Sequence, residues 1–252
     1  MKNLYSITLI VFCLAFTQCK TNKNSEAIQP AADKGFLTLH LHSVLDSLEI
    51  ETLDSAYSLR DGKKIAVAKA ALYISSIMLV KADGSTHLVE GKPILVSTET
   101  ELYKVGKVPA GNYSSVKFYV GLSVPANTTA PIASDTVLYQ PEMWFGKTVN
   151  DDGFVFVNFE GKVSVAGKPM QDFKYHIGTR RNLNNLQTAN RSISIIPNNT
   201  FLVHLNVNYA KLFSGIDTSQ KENLMLTTPL ENASALAQKI ASNIPLLFEY
   251  EE

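Results

Sequence analysis

The sequence predicts an all-β fold, a β-sandwich of mostly antiparallel strands with a short C-terminal helix. Three observations predict it. Short apolar/polar alternations recur along the chain, the period of a half-buried strand. Turn signals such as Asp83-Gly84 and Pro109-Ala110-Gly111-Asn112 separate them at the spacing usual for sandwiches. Only one segment carries a helical repeat.

Residues 1–19 read as a leader, outside the fold. Met1-Lys2-Asn3 gives a positive start, and residues 4–16 are mostly apolar but too short to span a bilayer. Phe16-Thr17-Gln18-Cys19 then meets a polar run. The pattern resembles a bacterial lipoprotein signal peptide with Cys19 as the acylated first residue of the mature chain. It implies export and a lipid anchor, at the outer membrane or in the periplasm. Residues 20–35 are polar and small and read as a flexible tether. Residues 36–252 suit one sandwich domain.

Within that domain, Phe36-Leu37-Thr38-Leu39-His40-Leu41-His42 opens as a strand, followed by a weak alternation over 48–53. A long strand over 65–80 ends at the Asp83-Gly84 turn, a strong hairpin signal. Further strands are predicted at 93–98, 113–122, 153–165, 172–177, 192–196 and 200–209. The segments 125–141 and 179–191 read as long irregular loops, the sort that often carries function. The helix candidate is 233–244, with Asn232 as N-cap and Leu236, Ile240 and Ile244 at four-residue spacing.

Composition excludes several chemistries. Acidic and basic residues balance at 23 each, so no electrostatic case for nucleic acid exists. The two cysteines, Cys13 and Cys19, precede the domain, which leaves it no internal disulfide and no thiolate ligand. No nucleophile elbow, phosphate loop, His-Glu-x-x-His or calcium loop occurs, and no triad spacing supports a hydrolase. The protein is expected not to be an enzyme.

Metal binding has a positive signal. Side chains alternate along a strand, so His40 and His42 share one face while Leu37, Leu39 and Leu41 share the other. Two neighbouring imidazoles need a third ligand from elsewhere to hold a transition ion. His176, opposite the apolar Phe173, Tyr175 and Ile177 and just before Gly178, is a candidate. His204 shares its face with Asn206 and Asn208 and reads as part of a polar strand face. His87 follows a turn and is given no role. Trp144, the single tryptophan, reads from its neighbours Met143 and Phe145 as core.

The ordered set of motifs resembles the MbnP-like copper-binding family of secreted bacterial proteins and lipoproteins. It comprises the His-bearing first strand, Tyr57-Ser58-Leu59-Arg60-Asp61-Gly62, Ala71-Leu72-Tyr73-Ile74-Ser75-Ser76-Ile77, and Pro109-Ala110-Gly111-Asn112-Tyr113. Next come Phe118-Tyr119-Val120-Gly121, Met143-Trp144, Gly153-Phe154-Val155-Phe156, Phe159-Glu160-Gly161 and Tyr175-His176-Ile177-Gly178. The resemblance covers roughly residues 36–250. It implies a β-sandwich that binds copper through histidines and a tryptophan-derived ligand. A dihaem cytochrome c peroxidase-like partner would oxidise that tryptophan, here Trp144, to kynurenine. His176 and His42 or His40 would be the histidine ligands. The sequence departs from the family at Gly146, where some relatives carry a histidine, and at Phe154, which replaces a tyrosine. The expected function is copper binding for uptake, storage or delivery. The alternative is a surface module that holds a partner through loops 125–141 and 179–191.

Overall fold

The computed structural model describes residues 33–123, 127, 129–146, 153–165 and 168–251. The expected leader, Cys19 and almost all of the tether lie outside them. In chain order the strands are β1 (Lys34–Leu45), β2 (Leu48–Glu49), β3 (Ala56–Ser58), β4 (Lys64–Val80), β5 (Thr86–Leu88) and β6 (Ile94–Ser97). Then come β7 (Leu102–Pro109), β8 (Gly111–Tyr113), β9 (Ser115–Val120), β10 (Val155–Ser164) and β11 (Gln171–Gly178). The last are β12 (Asn184–Gln187), β13 (Ile193–Ile195), β14 (Thr200–Asn208), β15 (Met225–Leu226) and β16 (Phe248–Tyr250). An α-helix, α1 (Ala235–Asn243), precedes the last strand.

Strands β16, β14, β1, β2 and β7 make a five-stranded sheet, and β1 is its central member. The other large sheet has nine strands, with β4 pairing to β3, β5, β6, β9 and β10. Its order continues through β11 to the short β15, while β12 lies beyond β9. Most pairs are antiparallel; β1 with β14 and β11 with β15 are parallel. The inner faces of the two sheets meet in one core. Leu37, Leu39 and Leu41 of β1 and Val203, Leu205 and Val207 of β14 come from one sheet. Val116 and Phe118 of β9, Phe159 of β10 and Phe173 of β11 come from the other. Phe118 and Phe248 meet across the layers edge to face, with centroids 5.0 Å apart. This is the expected sandwich, confirmed.

The long strand β4 keeps its apolar side inward by shifting phase. Ile65 and Val67 face the core, then Ala70, Leu72 and Ile74, then Ile77 and Leu79. Each change of parity coincides with a register shift against a neighbour, at Glu160/Gly161 of β10 and between Ser75 and Met78 facing β9. An extra residue at a bulge restores the inward side of a strand that would otherwise turn it to solvent. Gly161 is required at the first bulge: it sits at φ +158, and a Cβ there would lie 2.0 Å from the Ala66 carbonyl oxygen.

Two sequence expectations are corrected, and one further strand is added. The segment 179–191 is not wholly irregular, because β12 within it pairs with β9. The strand β7, whose residues Leu102–Pro109 alternate poorly, lines β1 in the five-stranded sheet. The helix is capped not by Asn232 but by Ser234, whose Oγ accepts from the Ala237 N–H at 3.2 Å. Asn232 is instead buried completely. Its Oδ1 accepts from the Gly178 N–H at 2.8 Å, and its Nδ2 donates to the His176 and Thr228 carbonyls at 2.8 and 3.0 Å. The segment before the helix is thereby fastened to the end of β11. Among the described residues, no helix is long and apolar enough to cross a membrane.

Candidate metal centre

Because the odd-numbered leucines of β1 fill the core, Thr38, His40 and His42 point outward from the five-stranded sheet. The parallel pairing sets His40 beside His204 of β14 in direct register. Opposite His204 on the other side, the antiparallel β16 brings up Glu251, whose N–H donates to the His204 carbonyl at 3.3 Å. Glu101, immediately before β7, and Glu49 of β2 close the remaining edge.

The side chains converge. His40 Nδ1 lies 2.8 Å from His204 Nδ1, so one ring's N–H donates to the other ring's lone pair. His204 Nδ1 is 3.3 Å and His42 Nε2 3.8 Å from Glu251 Oε2. His40 Nε2 stands 3.2 Å from Glu101 Oε2, and His42 Nδ1 stands 3.5 Å from Glu49 Oε1. The His40 ring packs edge to face on both other imidazoles, with centroids 4.3 Å from His42 and 4.8 Å from His204. One ligand atom each of His40, His42 and Glu251 falls within 4.8 Å of the others. The His40 and His42 side chains are about four-fifths covered, at 20% and 19% exposure, while His204 is more open at 44%. Neutral imidazoles with a carboxylate and open access to solvent fit a first-row transition ion.

The other two predicted residues lie elsewhere. His176 sits on the outward side of β11, opposite Asn158 of β10 in the nine-stranded sheet. Its Nε2 meets Glu160 Oε1 at 2.7 Å, and Lys174 Nζ meets the other oxygen at 3.1 Å. Partial burial pushes the Glu160 carboxyl up, but His176 and Lys174 outweigh it and hold the group below the usual range. Trp144 belongs to a separate apolar cluster on that same outward side, with Ala71, Tyr73, Met143, Phe154 and Phe156. Its indole packs on Phe154 at 4.7 Å and lies directly over Gly153, where a Cβ would come within 1.9 Å of two ring carbons.

The expectation that His176 and Trp144 join His40 and His42 is therefore corrected, since the packed core separates the two outward faces. Glu251 completes the first-strand pair, and His204 stands beside His40 and Glu251 at 2.8 and 3.3 Å. The signal for His204 was present: Leu39-His40-Leu41 and Val203-His204-Leu205 repeat the same phase, which two paired strands place side by side.

A family model described as MbnP matches residues 34–228. Among solved structures, MbnP from Methylosinus trichosporium matches with a TM-score of 0.46 and 14% identity, covering 72% of this chain and 78% of that one. No curated protein matches significantly. With most of its sandwich inside the family match, the chain belongs to the MbnP family.

Proposed function

We propose that this protein is an exported, lipid-anchored copper-binding protein that takes up, stores or delivers the ion and catalyses no reaction. The observation that carries the reading is the convergence of His40 and His42 with a third imidazole on an accessible sheet face. Membership of the MbnP family supports copper as the ion. The anchor is assigned to Cys19, which places the domain in the periplasm or at the outer membrane. These residues supply nitrogen donors, orient them by strand pairing, and leave one side open for exchange.

The test is copper titration of the metal-stripped protein. Near-stoichiometric binding that weakens in His40→Ala and His42→Ala variants is the expected result. Wild-type affinity in both variants refutes the site. Action of a dihaem cytochrome c peroxidase-like partner on Trp144 is a separate proposal within this reading. Intact mass of protein from its native host checks it: kynurenine adds one dioxygen and removes one carbon monoxide.

A further inference from the structure

We infer that the outward face of the five-stranded sheet holds one divalent ion of the copper(II)/zinc(II) class through His40 Nδ1, His42 Nε2, His204 Nδ1 and Glu251 Oε2, and that this site does not use Trp144. The inference rests on the copper-binding reading and specifies its ligands and ion class.

The first argument is spacing. Ligand atoms bonded at about 2.0–2.1 Å to a tetrahedral ion lie about 3.3–3.4 Å apart, and cis ligands in a square plane about 2.9 Å. His40 Nδ1, His204 Nδ1, Glu251 Oε2 and His42 Nε2 form a chain with steps of 2.8, 3.3 and 3.8 Å. Those steps have the length of polyhedron edges; His40, His42 and Glu251 already lie within 4.8 Å of one another, and His204 joins them by rotation of its exposed side chain.

The second argument is the outer ring of acceptors. A metal-bound histidine almost always donates its other ring N–H to a carboxylate, carbonyl or water. Here the nitrogens facing away from the centre already face carboxylates: His40 Nε2 faces Glu101 and His42 Nδ1 faces Glu49. A patch of incidental surface histidines has no reason to sort its nitrogens in this way.

The third argument is donor softness. The set contains no sulfur, and soft thiolates and thioethers are the donors that select copper(I). Imidazole with one carboxylate suits divalent ions, with copper above zinc in intrinsic affinity. Trp144 and His176 lie on the outward side of the opposite sheet, so tryptophan oxidation has no part in this coordination.

The experiment loads the full exported protein, stripped by chelator, with copper(II) or zinc(II) alone, and with copper(I) under a reducing competitor. Copper(II) should give a type-2 electron paramagnetic resonance spectrum with nitrogen superhyperfine structure. Affinity should fall more than 100-fold in His204→Ala and clearly in Glu251→Gln. Glu101→Gln should lower it about 10- to 100-fold, the usual cost of an outer-ring partner. His176→Ala and Trp144→Phe should leave affinity and spectrum unchanged. Wild-type binding in both His204→Ala and Glu251→Gln overturns the ligand assignment, and loss in His176→Ala or Trp144→Phe moves the ion to the other face. Tighter binding of copper(I) than copper(II) overturns the ion class. In those three cases copper binding itself survives; failure of the wild type to bind copper in either state removes both readings.

Discussion

Replacing Asn232 with alanine tests how the C-terminal third is held to the sandwich. As an N-cap, Asn232 would contribute about 1 kcal/mol. In the structure it is a buried junction, so the loss is larger. The Gly178 N–H would lose its side-chain acceptor, and an orphaned buried donor costs about 1–3 kcal/mol. The two bonds donated by Nδ2, to His176 and Thr228, contribute about 1 kcal/mol each. The sum is about 3–5 kcal/mol. With a urea m-value of about 2–3 kcal/mol per molar, the unfolding midpoint should fall by about 1–2.5 M. Ser234→Ala, which removes the real cap, should cost only about 1 kcal/mol. A loss of 1 kcal/mol or less in Asn232→Ala, or equal losses in the two variants, refutes the reasoning.

Three further outcomes are expected. Gly153→Ala should expel the indole that covers it, and the single tryptophan should then emit at longer wavelength; an unshifted spectrum shows the packing to be wrong. Phe159→Ala should cost about 3–5 kcal/mol by calorimetry or urea unfolding, because its ring packs on Phe173, Tyr209 and Phe213 in the core. Glu231 accepts from the Thr227 and Thr228 N–H groups, and these bonds hold its carboxyl below the ordinary glutamate range despite slight desolvation. Its contribution is then full above the ordinary value and disappears as pH falls through the lower folded value. Glu231→Gln should flatten that part of the acid-unfolding curve, and superimposable curves count against the assignment.

The sandwich was legible because leucines, valines and phenylalanines alternate over each long strand, and inward faces must be apolar. The face shared by His40 and His42 followed from the same alternation. What pairing alone decides was not legible. His204 looked like one polar residue among asparagines until β14 lay beside β1, and Glu251 gains meaning only from the return of β16. Strand alternation offers His176 as the third ligand and the resemblance to relatives adds Trp144, whereas the fold sets both across the core. Asn232 matched a cap motif locally, but a buried amide at a junction satisfies backbone groups from distant segments, which no local pattern records.

The parallel pairing of β1 with β14 dictates an order of events. His40 comes early in the chain, His204 follows 164 positions later, and Glu251 comes after β16. Closing a loop of that length costs about 4–5 kcal/mol in chain entropy before any contact compensates. An amino-terminal fragment thus carries His40 and His42 without their later neighbours. Under the proposed function, the ion would be held only once β14 and β16 have paired, and a chain cut before β14 would lack that site.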